Sequence, residues 1–296
     1  MDMNLLKYLA FIKTVEYGSF TRAAEALNYS QSGISRMIHD LESEWKVSLL
    51  ERSRAGVRLT SAGLTLLPHA KSLCIEYQNL QDQVDALNGL RSGIIRIGTF
   101  SSVATHWLPK IIQRFQRDYP NIDYELLLGD YREIEAWLQE GRIDCGFLRL
   151  PAKGNFTTRI LAQDKQLVVL PENHPLTKYG RVPIALLADY PFLMLEKGGE
   201  ADAAAIFAAH GVQPRVHFRT IDDYSIMSMV ESGLGISILP QLILQRIPYH
   251  IVIRELDVPA SRDIGFILRP DGNIPIATQQ FIKYLKYRET DAAEKQ

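Results

Sequence analysis

The chain has 296 residues, 46% of them hydrophobic and 23% charged, with a net charge of −1. That length suits two or three domains whose cores need no disulfide or metal staples, and the balanced charge excludes a protein that coats nucleic acid with its whole surface. Two cysteines, Cys74 and Cys145, offer no zinc spacing and fit a reducing compartment. The N-terminus lacks a basic n-region, and Lys7, Lys13 and Glu16 break the apolar text that follows it. No apolar run reaches the roughly 18 residues of a membrane span. The expected location is the cytoplasm, with no membrane partner.

Residues 4–60 carry three short helical patterns and a hairpin. Leu5, Tyr8, Leu9, Ile12 and Val15 recur at helical spacing, and Gly18 ends the first pattern. Ser19 or Thr21 can cap the second helix, whose small Ala23, Ala24 and Ala26 permit close helix approach. Asn28-Tyr29 breaks it, and Ser30 is the natural N-cap of a third helix from Gln31 to about Trp45. Leu49–Thr60 then reads as a hairpin turning near Ala55-Gly56 and bearing Arg52, Arg54 and Arg58.

Residues 61–90 predict one long helix. Leu66, Leu73, Leu80 and Leu87 lie seven apart, with Ala70, Tyr77 and Val84 between them. This a/d seam predicts self-association through Leu66, Leu73, Tyr77, Leu80, Val84 and Leu87. A helix packed on its own domain is the alternative.

From residue 94 strands and helices alternate. Ile94–Thr99, Ile122–Leu128, Ile143–Leu148, Gln166–Pro171, Phe192–Glu196 and Gly235–Pro240 read as strands. Trp107–Arg117, Ile134–Gln139, Asp202–Ala209 and Asp223–Glu231 read as helices. The alternation predicts open, mostly parallel α/β sheets split into two lobes.

Projected at 100° per residue, the third helix gathers Ile34, Met37, Ile38, Leu41 and Trp45 on one face. Ser32, Ser35, Arg36, His39 and Ser43 gather opposite, with Gln31 on the flank. One face packs while the other offers donors and acceptors, as a helix in the major groove requires. Arg36 suits guanine and Gln31 adenine. The serines Ser30, Ser32 and Ser35 suit bases or phosphates. Arg52 and Arg54 in the hairpin suit phosphates or the minor groove. An amphipathic surface helix and a solvated loop are the bland alternatives. Two helices before this one and an arginine-bearing hairpin after it favour DNA.

These residues resemble the LysR-type transcriptional regulators. The matching text is Leu9-Ala10-Phe11-Ile12, then Gly18-Ser19-Phe20-Thr21-Arg22-Ala23-Ala24-Glu25-Ala26-Leu27 and Ser30-Gln31-Ser32-Gly33-Ile34-Ser35-Arg36-Met37-Ile38. It continues with Leu41-Glu42, Leu50-Glu51-Arg52 and Arg58-Leu59-Thr60-Ser61-Ala62-Gly63. Ile95-Arg96-Ile97-Gly98, Leu108-Pro109, Tyr119-Pro120, Gly141–Phe147 and Gly233–Pro240 are similar to that family's effector domain. The resemblance implies a winged helix-turn-helix over 1–60, a linker and dimerisation helix over 61–90 and a two-lobed, periplasmic-binding-protein-like α/β domain over 91–296. The lobes would span about 91–161 with 268–296, and 162–267. It also implies tetramers built from dimers, promoter DNA as partner, contact with RNA polymerase as a further option, and a small-molecule effector between the lobes. Two departures stand out. Gly33 sits inside a helix, at a cost of about 1 kcal/mol against alanine, and Trp45-Lys46 stands where the family commonly has Leu-Gly.

Ligands in open α/β sheets sit beyond the carboxyl ends of strands. That places Ser101 and Ser102 in the loop after the first strand, Asp130 after the second, Arg149 at the end of the third and Asp222 at a helix start in the second lobe. Serines with an arginine fit a small carboxylate; Phe100, Tyr131 and Phe147 equally fit an aromatic ligand. Cys145 lies in an expected buried strand and Cys74 on the linker helix, where packing is the usual role.

Two other functions compete. A solute-binding protein with a helical leader is permitted by the α/β part, but the missing signal peptide and the leucine seam oppose it. An enzyme would need a nucleophile elbow, a phosphate-binding glycine loop or a metal cluster. The sequence has none of these, and its seven histidines are scattered. No cofactor is expected.

Overall fold

The computed structural model describes residues 5–53, 56–87, 93–197, 199, 201–270 and 274–288. The chain forms two compact units, 1–84 and 85–296.

The first unit contains α1 (Leu5–Tyr17), α2 (Phe20–Leu27), α3 (Gln31–Trp45), a hairpin of β1 (Leu50–Ser53) and β2 (Gly56–Leu59), and α4 (Ser61–Leu87). Each break is explained locally. Ser19 accepts from the Arg22 amide to cap α2, and Asn28 closes it in the left-handed conformation at φ 57°. Ser30 accepts from the Gly33 amide at 3.1 Å to cap α3. Phe11, Ala23, Ala24, Ile34, Ile38, Leu41, Leu49 and Ala70 share one core. The alanines let α1, α2 and α3 approach closely around it. Leu66 and Leu67 pack against the same core, so the N-terminal half of α4 belongs to this unit.

The second unit is built on a mixed eight-stranded sheet. Its path starts with β3 (Gly93–Thr99), β4 (Ile122–Leu128) and β5 (Cys145–Leu150), where β4 and β5 flank β3 in parallel. α5 (Ser101–His106), α6 (Leu108–Asp118) and α7 (Tyr131–Gln139) connect them. The long β6 (Thr157–Pro171) follows, and then β7 (Arg181–Val182), β8 (Pro191–Leu195), α8 (Asp202–Ala209), β9 (Arg215–Thr220), α9 (Asp223–Glu231), β10 (Ser237–Pro240), β11 (Ile251–Leu256), β12 (Ser261–Leu268) and α10 (Ile276–Ile282). The strand order is β4-β3-β5-β12-β6-β11-β7, with β10 also on β6, and β8 pairs with β9 separately.

The expectation of mostly parallel sheets is corrected here. β12 runs antiparallel to both β5 and β6, and β10 and β11 run antiparallel to β6. β6 and β12 pass from one lobe to the other, and two antiparallel strands are the shortest way to link lobes twice. The first half of β6 pairs with β12 and its second half with β10 and β11, so one strand serves two cores. The first core holds Ile95, Ile97, Phe115, Phe147, Ile264, Phe266 and Phe281. The second side is built around Val168, Leu170, Phe192, Phe207 and Ile238, with a further cluster at Ile226, Met227 and Val230. On β12 the first core therefore begins at Ile264, a few residues before the boundary expected at 268.

Candidate functional sites: a reading helix and an interlobe cleft

On α3 the two faces separate as the projection requires. Ile34, Ile38 and Leu41 are buried, while Gln31, Ser32, Arg36, His39 and Ser43 are exposed and Ser35 is half-buried. Ser30 is engaged in capping, and its hydroxyl also lies 3.1 Å from that of Ser32. The Gly33 departure has a local cause. A Cβ there would meet the Ser30 Oγ at 3.2 Å, the atom that caps the helix, so an alanine's propensity gain is set against a crowded cap.

The second departure is resolved by the backbone. Lys46 takes the left-handed position at φ 57° that a glycine C-cap would fill, with its amide on the Glu42 carbonyl. For a non-glycine residue that conformation costs about 1–2 kcal/mol. The wing is then fixed from two sides. The Glu42 Oε1 accepts from the Leu49 amide at 2.7 Å and the Leu50 amide at 3.2 Å. The Thr60 hydroxyl donates to the Ser48 carbonyl at 2.6 Å and accepts from the Gly63 amide at 2.9 Å. Gly63 must be glycine for this approach, because a Cβ would lie 2.2 Å from the Leu49 carbonyl oxygen. Arg52 lies on β1, opposite Val57; Arg54 lies outside the described residues.

The leucine seam divides. Leu66 packs on its own domain and Leu73 is half-buried, whereas Tyr77, Leu80 and Val84 are exposed at helical spacing. The side chain of Leu87 lies outside the described residues.

In the cleft, the sequence reading of the first loop needs correcting. α5 starts at Ser101, with Phe100 as its N-cap. Ser102 is therefore within the first helical turn and buried, and its Oγ accepts from Arg262 Nη2 at 3.1 Å. Asp130 caps α7 in a reciprocal box with Glu133. Asp222 caps α9; burial alone would raise its carboxyl, but the Ser225 hydroxyl and amide hold it below the usual value. Both aspartates thus have helix-capping partners. Arg149 does hold a carboxylate, that of Asp202, with its Nη1 at 2.6 Å.

The organising residue, Arg262, was not legible as a site. It is buried and donates to Asp164 from Nε at 3.0 Å and from Nη2 at 2.8 Å, and to the Tyr131 hydroxyl from Nη1 at 2.9 Å. Its guanidinium also lies 5.1 Å from the centre of the Phe100 ring. Burial opposes its charge, yet Tyr131, Asp164 and Asp202 hold its pKa above the ordinary value. Burial raises the Asp164 carboxyl against the pull of Arg262 and pushes Tyr131 up to about 12, so its hydroxyl stays protonated. The Gln166 amide donates to the other Asp202 oxygen at 3.1 Å, and buried Lys197 pairs with Asp223 at 2.6 Å. Among the described residues, two small cavities of about 10 and 20 Å³ adjoin this network, each enough for a water molecule. The first is lined by Tyr131, Gln166, Lys197, Asp202 and Arg262. Arg132, Glu135, Arg149 and Lys153 border the second. Sequence reasoning missed Arg262, Asp164, Gln166, Lys197 and Asp202 because a lone charged or amide side chain normally reads as solvated.

Comparisons with known proteins agree with this architecture. Residues 5–64 match the model of the bacterial regulatory helix-turn-helix protein, lysR family, and residues 88–289 match the LysR substrate binding domain. The uncharacterized HTH-type transcriptional regulator YvbU of Bacillus subtilis is 31% identical, with 96% of this chain and 98% of that protein covered. The DNA-binding transcriptional dual regulator OxyR of Escherichia coli is 29% identical, with 97% and 96% covered. Among solved structures, a full-length OxyR variant from Pseudomonas aeruginosa superposes with a TM-score of 0.74 at 22% identity, covering 97% of this chain and 95% of that one. Full-length CbnR complexed with its target DNA gives 0.69 at 22% identity, covering 97% and 100%. The chain belongs to the LysR family of helix-turn-helix transcription regulators.

Proposed function

We propose that this regulator reads operator DNA with Gln31, Ser32, Ser35 and Arg36 of α3, while Ser30 and the wing arginines Arg52 and Arg54 position it on phosphates. The observation that carries this is the exposed polar face of a helix whose opposite face is buried in a helix-turn-helix core. The solvent-facing stripe Tyr77, Leu80 and Val84 on α4 supports pairing of two copies, and the reading extends this to dimers that assemble into tetramers. Promoter DNA, and RNA polymerase beside it, are the macromolecular partners. The cytoplasm is the location that such a role requires, and no helix among the described residues is long and apolar enough to cross a membrane.

The cleft around Ser101, Ser102, Asp130, Arg149 and Asp222, organised by Arg262, is the effector site in this reading. It binds a small molecule and turns nothing over. Several relatives are named hydrogen peroxide-inducible genes activators, but a peroxide sensor needs an accessible thiolate. Burial raises the Cys145 thiol well above its ordinary value and pushes Cys74 up to about 11. Both are protonated at neutral pH, which favours a ligand over an oxidant as the signal.

The test is a mobility-shift titration on the DNA upstream of the gene. Arg36→Ala is expected to lose about 1–3 kcal/mol of binding and most of its preference over random DNA. Equal binding of both proteins to both DNAs would end the reading-helix assignment.

A further inference from the structure

Asp202 opens α8, where an acidic side chain normally faces the free amides of its own helix. Its carboxylate instead sits among donors from three strands. Arg149 on β5 donates to one oxygen at 2.6 Å. Gln166 on the second half of β6 donates to the other at 3.1 Å, and Arg262 on β12 places Nη1 3.8 Å away. Arg149 belongs to the first lobe and α8 to the second, so the pair ties the lobes together. The space beside this carboxylate is about 10 Å³. Among the described residues, the neighbouring cavity is bordered by Arg132, Arg149, Lys153, Lys197 and Glu135.

We propose that Asp202 is a tethered carboxylate occupying the effector's position, and that the effector is a small carboxylate which binds by displacing it. The proposal rests on the reading of the cleft as the effector site. Displacement moves the Asp202 carboxylate away from Arg149 and frees α8 from the first lobe, so the lobes part or re-seat when ligand enters. A tethered competitor also lowers the apparent affinity for any free carboxylate, because the competent state is only a fraction of the population. Removing the tether therefore tightens binding.

The experiment is chemical rescue of the full-length protein, with sodium acetate and sodium formate as probes and sodium chloride at matched ionic strength as control. Asp202→Ala is expected to unfold at lower temperature than wild type. Acetate or formate is expected to restore its midpoint by several degrees, saturably, whereas wild type gains no more from them than from chloride. Asp202→Ser, which also vacates the carboxylate's position, serves if the alanine variant does not fold, and the same selective response is expected. The added substitution Arg149→Ala is expected to abolish the rescue. A destabilised variant that responds no better to carboxylates than to chloride would overturn the proposal and leave Asp202 a plain structural ion pair. So would a wild type that responds as strongly as the variant. Footprinting of the same proteins on the upstream DNA separates the two readings. Rescue without any change of footprint leaves the tethered carboxylate standing and removes the effector role of the cleft.

Discussion

His174 and His106 show how single side chains set the conditions under which this fold holds. Both are partly buried, and burial holds both imidazoles below their ordinary value of 6.5. His174 Nδ1 accepts from the Leu176 amide at 3.3 Å, a bond that exists only while that nitrogen is unprotonated. His106 has a buried Nε2 without a hydrogen-bond partner among the described residues. A lowered histidine pKa in the folded state means that the unfolded chain takes up protons first. Stability is therefore complete above about pH 6.5 and is lost as pH falls below it toward the lowered folded values. Thermal midpoints measured from about pH 7.5 to 5 should decline, and His174→Asn, which keeps an acceptor for the amide, should decline less. A flat profile in both proteins would contradict the assignment. At this scale the capping residues were the most legible: Ser30 was recognisable as a cap, Ser19 was one of two candidates with Thr21, and Asn28 was read as part of the break, because each such position favours particular residue types. Arg262 was not, although a signal existed. It shares a period-two face with Ile264, Phe266 and Leu268, all buried, and an arginine on the apolar face of a strand implies a buried counter-charge.

At the scale of elements, helices were easier to read than strands. α3, α8 and α9 fall where the 3.6-residue pattern and their first-turn residues put them. The first half of β6 escaped notice because Thr157, Thr158, Arg159 and Ile160 are exposed and show no alternation. α5 escaped because six residues are too short for a period. The antiparallel centre of the sheet was unreadable in principle, since strand pairing depends on partners about 70–120 residues away and not on local text. The wing is the element whose position matters most for DNA in this reading, and one of its two anchors is a single carboxylate. Glu42 serves the Leu49 and Leu50 amides together, and its removal leaves two part-buried donors without that acceptor. Glu42→Ala should cost about 1–3 kcal/mol, visible as a lower unfolding midpoint, and should weaken DNA binding through the displaced wing. Unchanged stability would mean that the wing is held by Thr60 and Gly63 alone.

For the whole molecule, the division of labour follows from chemistry rather than from charge excess. Residues 1–60 are nearly charge-neutral in sum, so non-specific attraction to phosphates is modest and affinity must come from base contacts multiplied by pairing of copies. The exposed Tyr77, Leu80 and Val84 of α4 form the proposed pairing surface, while Leu66 and Leu67 of the same helix pack on the core that holds the reading helix. The proposed signal site of the second unit is the cleft in which Arg149 pairs with Asp202 and Arg262 with Asp164. The account's central claim is that this chain recognises a particular DNA sequence as a multimer. The most direct measurement is the ratio of its affinities for the DNA upstream of its gene and for random DNA of equal length, at fixed physiological salt. A regulator of this kind should show a ratio of about a thousand or more, falling steeply when Tyr77, Leu80 and Val84 are replaced by charged residues. A ratio near unity, unaffected by those substitutions, would contradict it.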